Sequence, residues 1–222
     1  MKWEVLSKKS SPDITNLLLA NRGVKTAKGR KEFLDPRLPE KWSLAQLGIS
    51  QIEIKKAKER IKKALRTKER VVIYGDYDAD GICGTAILWE TLHNLGLNVW
   101  PYIPERFSEG YGLNPDSLRK LKEDHPDLGL VITVDHGVVA NQKVDLAKDL
   151  GIDVIITDHH EPGKTRPKAL AVIHTVKIGG AAVAWNLARE VSGEVRGLDL
   201  VAIGTISDQL PLIGPNLSFT KY

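Results

Sequence analysis

Five short apolar runs, separated by stretches patterned as helices, limit the fold of this chain more than any other feature of its sequence. Val71-Val72-Ile73-Tyr74 is too brief for a helix and lacks polar alternation, as expected of a strand buried on both faces. The same kind of run recurs at residues 97–103, 130–134, 154–157 and 170–173. Helical stretches lie between them at 84–94, 115–122 and 141–150, and two more follow at 179–188 and 199–206. Strands alternating with helices imply right-handed crossovers and an α/β fold, a mainly parallel five-stranded sheet flanked by helices. Ahead of the sheet, Ser50 with Glu53 three residues on forms a capping box. Ile52, Ala57, Ile61, Ala64 and Leu65 then supply the apolar face of a helix that runs to Thr67. Residues 1–45 read as a short helical N-terminal extension, with helices at 13–21 and 26–34, which leaves 46–222 as the main domain.

A chain of 222 residues, 42% hydrophobic and 27% charged, can bury one full α/β core and a small appendage, but not two large domains. The single cysteine, Cys83, cannot form an internal disulfide and reads as a small packed hydrophobe. No signal-peptide pattern or long apolar run occurs, so a soluble cytoplasmic protein with no membrane partner is expected. A net charge of +4 and a pI near 9.0 suit a polyanionic partner. The cations are concentrated: residues 52–70 hold nine Lys or Arg, from Lys55 to Arg70, against three Glu. Such a face is either a solvated helix surface or a nucleic-acid contact.

Polar residues cluster where the apolar runs end, and in open parallel sheets the carboxyl ends of the strands are where ligands bind. After Tyr74 comes Gly75-Asp76-Tyr77-Asp78-Ala79-Asp80-Gly81, whose three carboxylates lie on one side if the backbone stays extended. Three anions so placed repel unless a cation compensates, and oxygen-rich clusters suit Mg²⁺ or Mn²⁺. The same spacing begins an EF-hand pattern, but Ile87 stands where that loop needs a bidentate Glu, and a strand precedes it. Asp135-His136-Gly137 follows the third run and Asp158-His159-His160-Glu161-Pro162-Gly163 the fourth. Asp135 could bridge two metals; adjacent side chains diverge, so one of His159 and His160 should ligate and the other contact phosphate. Asp208, ending Gly204-Thr205-Ile206-Ser207, adds a further carboxylate.

This set of motifs, with Asp208 continuing into Gln209-Leu210-Pro211-Leu212, resembles the four motifs of the DHH phosphoesterase superfamily. Within it the chain is most similar to the RecJ family of single-strand-specific 5′ to 3′ DNA exonucleases. Residues 18–23 and Glu32-Phe33-Leu34-Asp35-Pro36 resemble that family's N-terminal region, and Ile103-Pro104-Glu105-Arg106 with Glu109-Gly110-Tyr111-Gly112-Leu113 its segment between motifs. The resemblance implies two divalent ions, Mn²⁺ or Mg²⁺, held by Asp78, Asp80, Asp135, His159 and Asp208 with Asp76 close by. It makes Asp80, Asp135 and His160 catalytic, with His160 facing the scissile phosphate, and Arg106 and Tyr111 substrate contacts. The implied partners are single-stranded DNA entered from its 5′ end and other replication or repair proteins. A phosphodiesterase for short oligonucleotides or dinucleotides, and a non-catalytic scaffold, are the rival functions within the superfamily. The chain departs from the family pattern at His136, a possible extra ligand, at His174-Thr175 and at Asn216-Leu217. The family's second domain, which follows a long connector, has no counterpart before Tyr222.

Overall fold

A computed structural model describes residues 13–222; the first twelve residues of the expected N-terminal extension lie outside the described residues. The extension supplies α1 (Ile14–Asn21), α2 (Ala27–Leu34) and a 3-10 turn (Pro39–Lys41); α3 (Leu44–Leu47) spans its end and α4 (Gln51–Thr67) leads into the sheet. The sheet domain follows as β1 (Arg70–Tyr74), α5 (Ala79–Asn94), β2 (Val99–Tyr102), α6 (Pro115–Asp124), β3 (Leu128–Val134), α7 (Asn141–Asp149), β4 (Asp153–Asp158) and β5 (Ala171–His174). Three helices close the chain: α8 (Gly180–Ser192), α9 (Leu198–Ser207) and α10 (Gly214–Lys221).

All five strands are parallel, in the order β2-β1-β3-β4-β5. Both faces of β1, β3 and β4 are buried, which is why these strands read as unbroken apolar runs. Val71 and Ile73 join the layer made by α4, α5 and α8, while Val72 and Tyr74 meet Leu118 of α6 and Val144 of α7 on the other side. Pro101 interrupts the donors of edge strand β2. The opposite edge is covered by Glu53, whose carboxylate accepts the Val172 N–H at 2.8 Å. The expected capping box on α4 is therefore only half formed: Ser50 Oγ accepts the Glu53 N–H, but the Glu53 side chain is drawn to β5. The complete box is one helix earlier, between Ser43 and Gln46.

The expected basic face on α4 is also broken. Arg60 is buried and reaches Asp153 at 2.5 Å, Glu69 at 2.5 Å and the Gly129 carbonyl at 2.8 Å, tying together the starts of β1, β3 and β4. The cations that follow it, Lys62, Lys63, Arg66 and Lys68, are exposed at the amino edge of the sheet, away from the strand ends that carry the acidic motifs. Arg60→Ala should destabilise the fold by about 2–3 kcal/mol, since each hydrogen bond to a charged group counts for more than a neutral one and the partners can only partly regain water. Denaturant midpoints would measure it; a shift below about 0.5 kcal/mol, the level of an ordinary surface substitution, would show that the tie is dispensable.

α10 was not legible in the sequence. It seats Phe219 edge-on to Trp185, with ring centroids 5.4 Å apart, and its Ser218 hydroxyl donates to the Arg37 carbonyl. Tyr222 OH donates to the Pro36 carbonyl at 3.0 Å, so the last helix fastens the N-terminal segment. Among the described residues no helix is long and apolar enough to cross a membrane.

Candidate metal centre

Strand order reverses between β1 and β3, and in parallel sheets that reversal opens a crevice at the carboxyl ends. Asp76 leaves β1 there and Asp135 leaves β3. Asp76, Asp78 and Asp80 do not lie along extended backbone as the spacing suggested. Instead the chain turns at Asp78, which caps α5 by accepting the Gly81 N–H at 2.9 Å, and α5 starts at Ala79, five residues before the expected position. Asp80 thus stands in the first helical turn. Gly81 permits the fold-back, because a Cβ there would lie 2.6 Å from Asp76 Cβ and 2.8 Å from its Cα.

Asp80 is buried and accepts two amide N–H groups from the start of α8, Gly180 at 2.6 Å and Ala181 at 2.9 Å. A helix N-terminus favours an anion, yet burial still raises the Asp80 carboxyl above its usual range. Burial raises Asp76 too, opposed by the Tyr77 N–H. Asp135 is the extreme case. Burial, with Asp80 and Asp78 nearby and the contact with His159 opposing, pushes its carboxyl up to about 7. Its backbone sits at φ +66°, a region costly for a non-glycine residue, while its N–H donates to the Thr157 carbonyl at 2.9 Å and its carbonyl accepts Tyr111 OH at 3.2 Å. Strain held in place by two such anchors is the kind that accumulates at functional sites.

The loop after β4 is organised by Asp158. This buried carboxylate accepts the N–H groups of Val138 at 2.7 Å, His159 at 2.7 Å and His160 at 3.0 Å, and lies 2.8 Å from His160 Nδ1. Burial alone would raise Asp158, but His160 and the backbone donors overcome it and hold the carboxyl down at about 2. Asp158 in turn lifts His160 to about 9. His159 points the other way: its Nε2 lies 3.0 Å from Asp135, 3.7 Å from Asp80 and 3.6 Å from Asp208, the residue that caps the carboxyl end of α9.

Ligand atoms within 4.8 Å of one another form the sets Asp76, Asp78, Asp135 and Asp80, His159, Asp208, and a third set of Asp135, His159 and His160. The first two together hold all six residues expected to ligate metal. In the third, His160 Nδ1 is 3.9 Å from Asp135 but already committed to Asp158, so His160 stands apart from the ligands. The donors fit divalent cations on one further observation. Asp135 Oδ1 is buried without an aligned hydrogen-bond donor, 3.0 Å from His159 Nε2 notwithstanding. A buried carboxylate oxygen with no donor is destabilising by itself, and a cation would satisfy it.

His136 is not an extra ligand. Its ring turns beneath the site, Nε2 lies 2.9 Å from the Tyr74 carbonyl and so donates to it, and complete burial lowers its pKa to about 4. Tyr111 OH stands 3.4 Å from the His160 ring, and the Arg106 guanidinium stacks 4.9 Å over Tyr77. At the other departures, His174 Nε2 meets the His160 carbonyl at 2.7 Å and Thr175 Oγ1 donates to the Leu47 carbonyl at 2.6 Å, while Asn216 belongs to α10. Sequence alone assigned no role to Asp158, the α8 amides or His174; the small-residue run Gly179-Gly180-Ala181-Ala182 was the one available signal for the amides.

Close approach of α8 has a testable cost. A Cβ on Gly180 would lie 2.7 Å from both Cβ and Cγ of Asp135. Gly180→Ala should therefore leave helix content unchanged but weaken Mn²⁺ binding by roughly tenfold or more, the scale of losing a residue that orients a ligand. Calorimetric titration reads this directly, and an unchanged isotherm would mean that Asp135 does not ligate in its present position.

The profile of the DHH family, N-terminal domain, matches residues 70–205. Single-stranded-DNA-specific exonuclease RecJ of Bacillus subtilis is 41% identical over 210 residues, covering 90% of this chain and 26% of that protein. The Thermus thermophilus protein of the same name is 38% identical, covering 86% of this chain and 29% of that protein. The chain therefore spans little more than a quarter of these relatives. A crystal structure of exonuclease RecJ bound to manganese superposes with a TM-score of 0.70 at 37% identity, over 76% of this chain and 46% of that one. RecJ from Thermus thermophilus in complex with Mn²⁺ gives 0.72 at 34%, over 91% and 29%. Since the profile begins at the first residue of β1 and runs through more than half of the chain, the chain belongs to the DHH family.

Proposed function

We propose that this chain is the catalytic part of a metal-dependent phosphodiesterase that degrades single-stranded DNA from its 5′ end to 5′-mononucleotides, in cytoplasmic DNA repair and recombination. The observation that carries the reading is the buried, donorless Asp135 oxygen inside a nest of carboxylates and His159. Two divalent ions, Mn²⁺ or Mg²⁺, fit the two ligand sets, Asp76, Asp78 and Asp135 for one and Asp80, His159 and Asp208 for the other. When bound, such ions supply an activated water and charge stabilisation for the leaving oxygen. His160, held by Asp158 and charged near neutral pH, neutralises a phosphoryl oxygen at the rim of the nest. Tyr111 stands beside it, and Arg106, stacked on Tyr77, stands next to Asp76 and Asp78; both meet the strand. We propose as well the division into a helical extension, 1–45, and a catalytic domain, 46–222. The relatives' single-strand DNA specificity supports the substrate, and other replication or repair proteins are further partners.

The test is Mn²⁺-dependent release of mononucleotides from a 5′-phosphorylated single strand, with duplex and dinucleotide as controls and chelator as the blank. Mononucleotides from the strand in preference to both controls are expected. Hydrolysis confined to dinucleotides would assign the site to short substrates instead, and Mn²⁺ binding without hydrolysis of any of them would make the protein a scaffold.

A further inference from the structure

We propose that Phe107 is a base-stacking platform, a contact for a nucleobase of the single strand bound at the metal centre; this rests on the reading above and extends it from phosphate to base. Phe107 is 94% exposed, the most exposed large apolar side chain among the described residues. Water does not favour a bare phenyl ring, and a flexible loop would normally fold it away.

Here the loop cannot do so, because its backbone is fixed from both ends. Glu105 accepts the N–H of Phe107 at 3.0 Å and both the N–H and hydroxyl of Ser108, at 2.6 and 2.7 Å. Glu109 N–H closes the turn on the Glu105 carbonyl at 2.9 Å, and the Glu109 carboxylate takes the Glu105 N–H, Tyr102 OH and the Ser117 hydroxyl. Both acidic side chains hold the turn and remain anionic as they do so, so the attraction for a polyanion falls to the cation beside them. Beside them the turn exposes Arg106, a cation, and Phe107, a bare apolar ring.

Position supplies the occupant. Arg106 stacks on Tyr77, next to Asp76 and Asp78, and its charge partly opposes the burial that raises the Asp76 carboxyl. Tyr111, five residues on, touches Asp135 and His160. Two aromatics, Tyr77 and Tyr111, and one guanidinium therefore border the place where a phosphodiester would be cut, and Phe107 follows that guanidinium directly in the turn. Single strands are gripped by that combination, cation on phosphate and aromatic face on base, and the stacking is indifferent to sequence because every base has a π face. Indifference to sequence is what an enzyme that proceeds along a strand needs.

The experiment is binding of a single-stranded oligonucleotide carrying 2-aminopurine, in chelator so that nothing is cut, followed by turnover in Mn²⁺. Phe107→Ala should bind about tenfold more weakly and lose the quenching of 2-aminopurine, whereas Phe107→Trp should keep both. A strand with abasic sites should bind the parent as weakly as a normal strand binds Phe107→Ala, and should lose nothing further with that variant. In turnover the loss should appear in KM, with kcat at saturating strand nearly unchanged, since the ring is not among the metal ligands. Phe107→Ala that binds, quenches and turns over like the parent would overturn the inference and assign the ring to a protein surface instead. Failure of the exonuclease reading looks different: the parent itself would not shorten the strand in Mn²⁺.

Discussion

Asp135→Ala is expected to lose phosphodiester hydrolysis by at least about a thousandfold, equivalent to about 4 kcal/mol of transition-state stabilisation, while keeping its fold. Asp135 is the carboxylate that adjoins both ligand sets: it belongs with Asp76 and Asp78, and its Oδ1 lies 3.0 Å from His159 of the other. Removing it leaves two cations with too little shared negative charge. Stability should move the opposite way in the metal-free protein. A carboxyl whose pKa is raised from 3.8 to about 7 holds its proton more tightly folded than unfolded. Its contribution is therefore complete below about pH 4, declines as pH rises, and is lost through about pH 7. Compared with an Asp135→Asn variant, metal-free parent protein should lose thermal stability across that window, and Mn²⁺ should restore it. Turnover by Asp135→Ala within a few-fold of the parent would sink the two-metal assignment. A parent-minus-Asn stability difference that is flat from pH 4 to 7 would show that the buried carboxylate is satisfied without metal.

The fold was legible where burial dictates residue type. A strand covered on both faces must be apolar throughout, so Val71 to Tyr74 and the runs like it announced themselves, and the first polar residue after each marked an open strand end. The candidate ligands were legible for the same reason, since Asp135 and Asp76 have no structural cause to stand there. What escaped was whatever depends on contacts distant in sequence. The helix expected from Gly84 begins five residues earlier, at Ala79, and takes in both Gly81 and Gly84, where Asp76 and Val134 with α8 leave no room for a Cβ. Arg60 looked like one cation in a basic face until Asp153, far along the chain, was seen to pair with it. Asp158 opens its motif with no role legible in the sequence; only its four donors identify it as the residue that aims His160. His136 follows a ligand directly, but the positive φ of Asp135 sends its ring beneath the site.

That same loop geometry makes His159 and His160 unequal, and the second large effect follows from it. His159 Nε2 sits among Asp135, Asp80 and Asp208, at 3.0 to 3.7 Å. His159→Ala should raise the Mn²⁺ concentration needed for half-maximal activity by more than the roughly 10–100-fold that follows loss of a residue merely orienting a ligand. His160 is anchored through Nδ1 to Asp158 and half exposed, with its pKa raised to about 9 by that partner, so at neutral pH it offers a charged imidazolium at the rim. His160→Ala should leave Mn²⁺ affinity within a few-fold of the parent but lower kcat by about 10²–10⁴, the range for a group that donates in the transition state. Asp158→Asn should imitate it in part, because His160 would lose both its aim and the charge that raises its pKa, and the alkaline limb of the kcat profile should move to lower pH. Two measurements suffice: a metal isotherm and single-turnover rates at saturating Mn²⁺. Equal loss of Mn²⁺ affinity in both histidine variants would place His160 among the ligands, and its hydrogen bond to Asp158 would then have to open when metal binds.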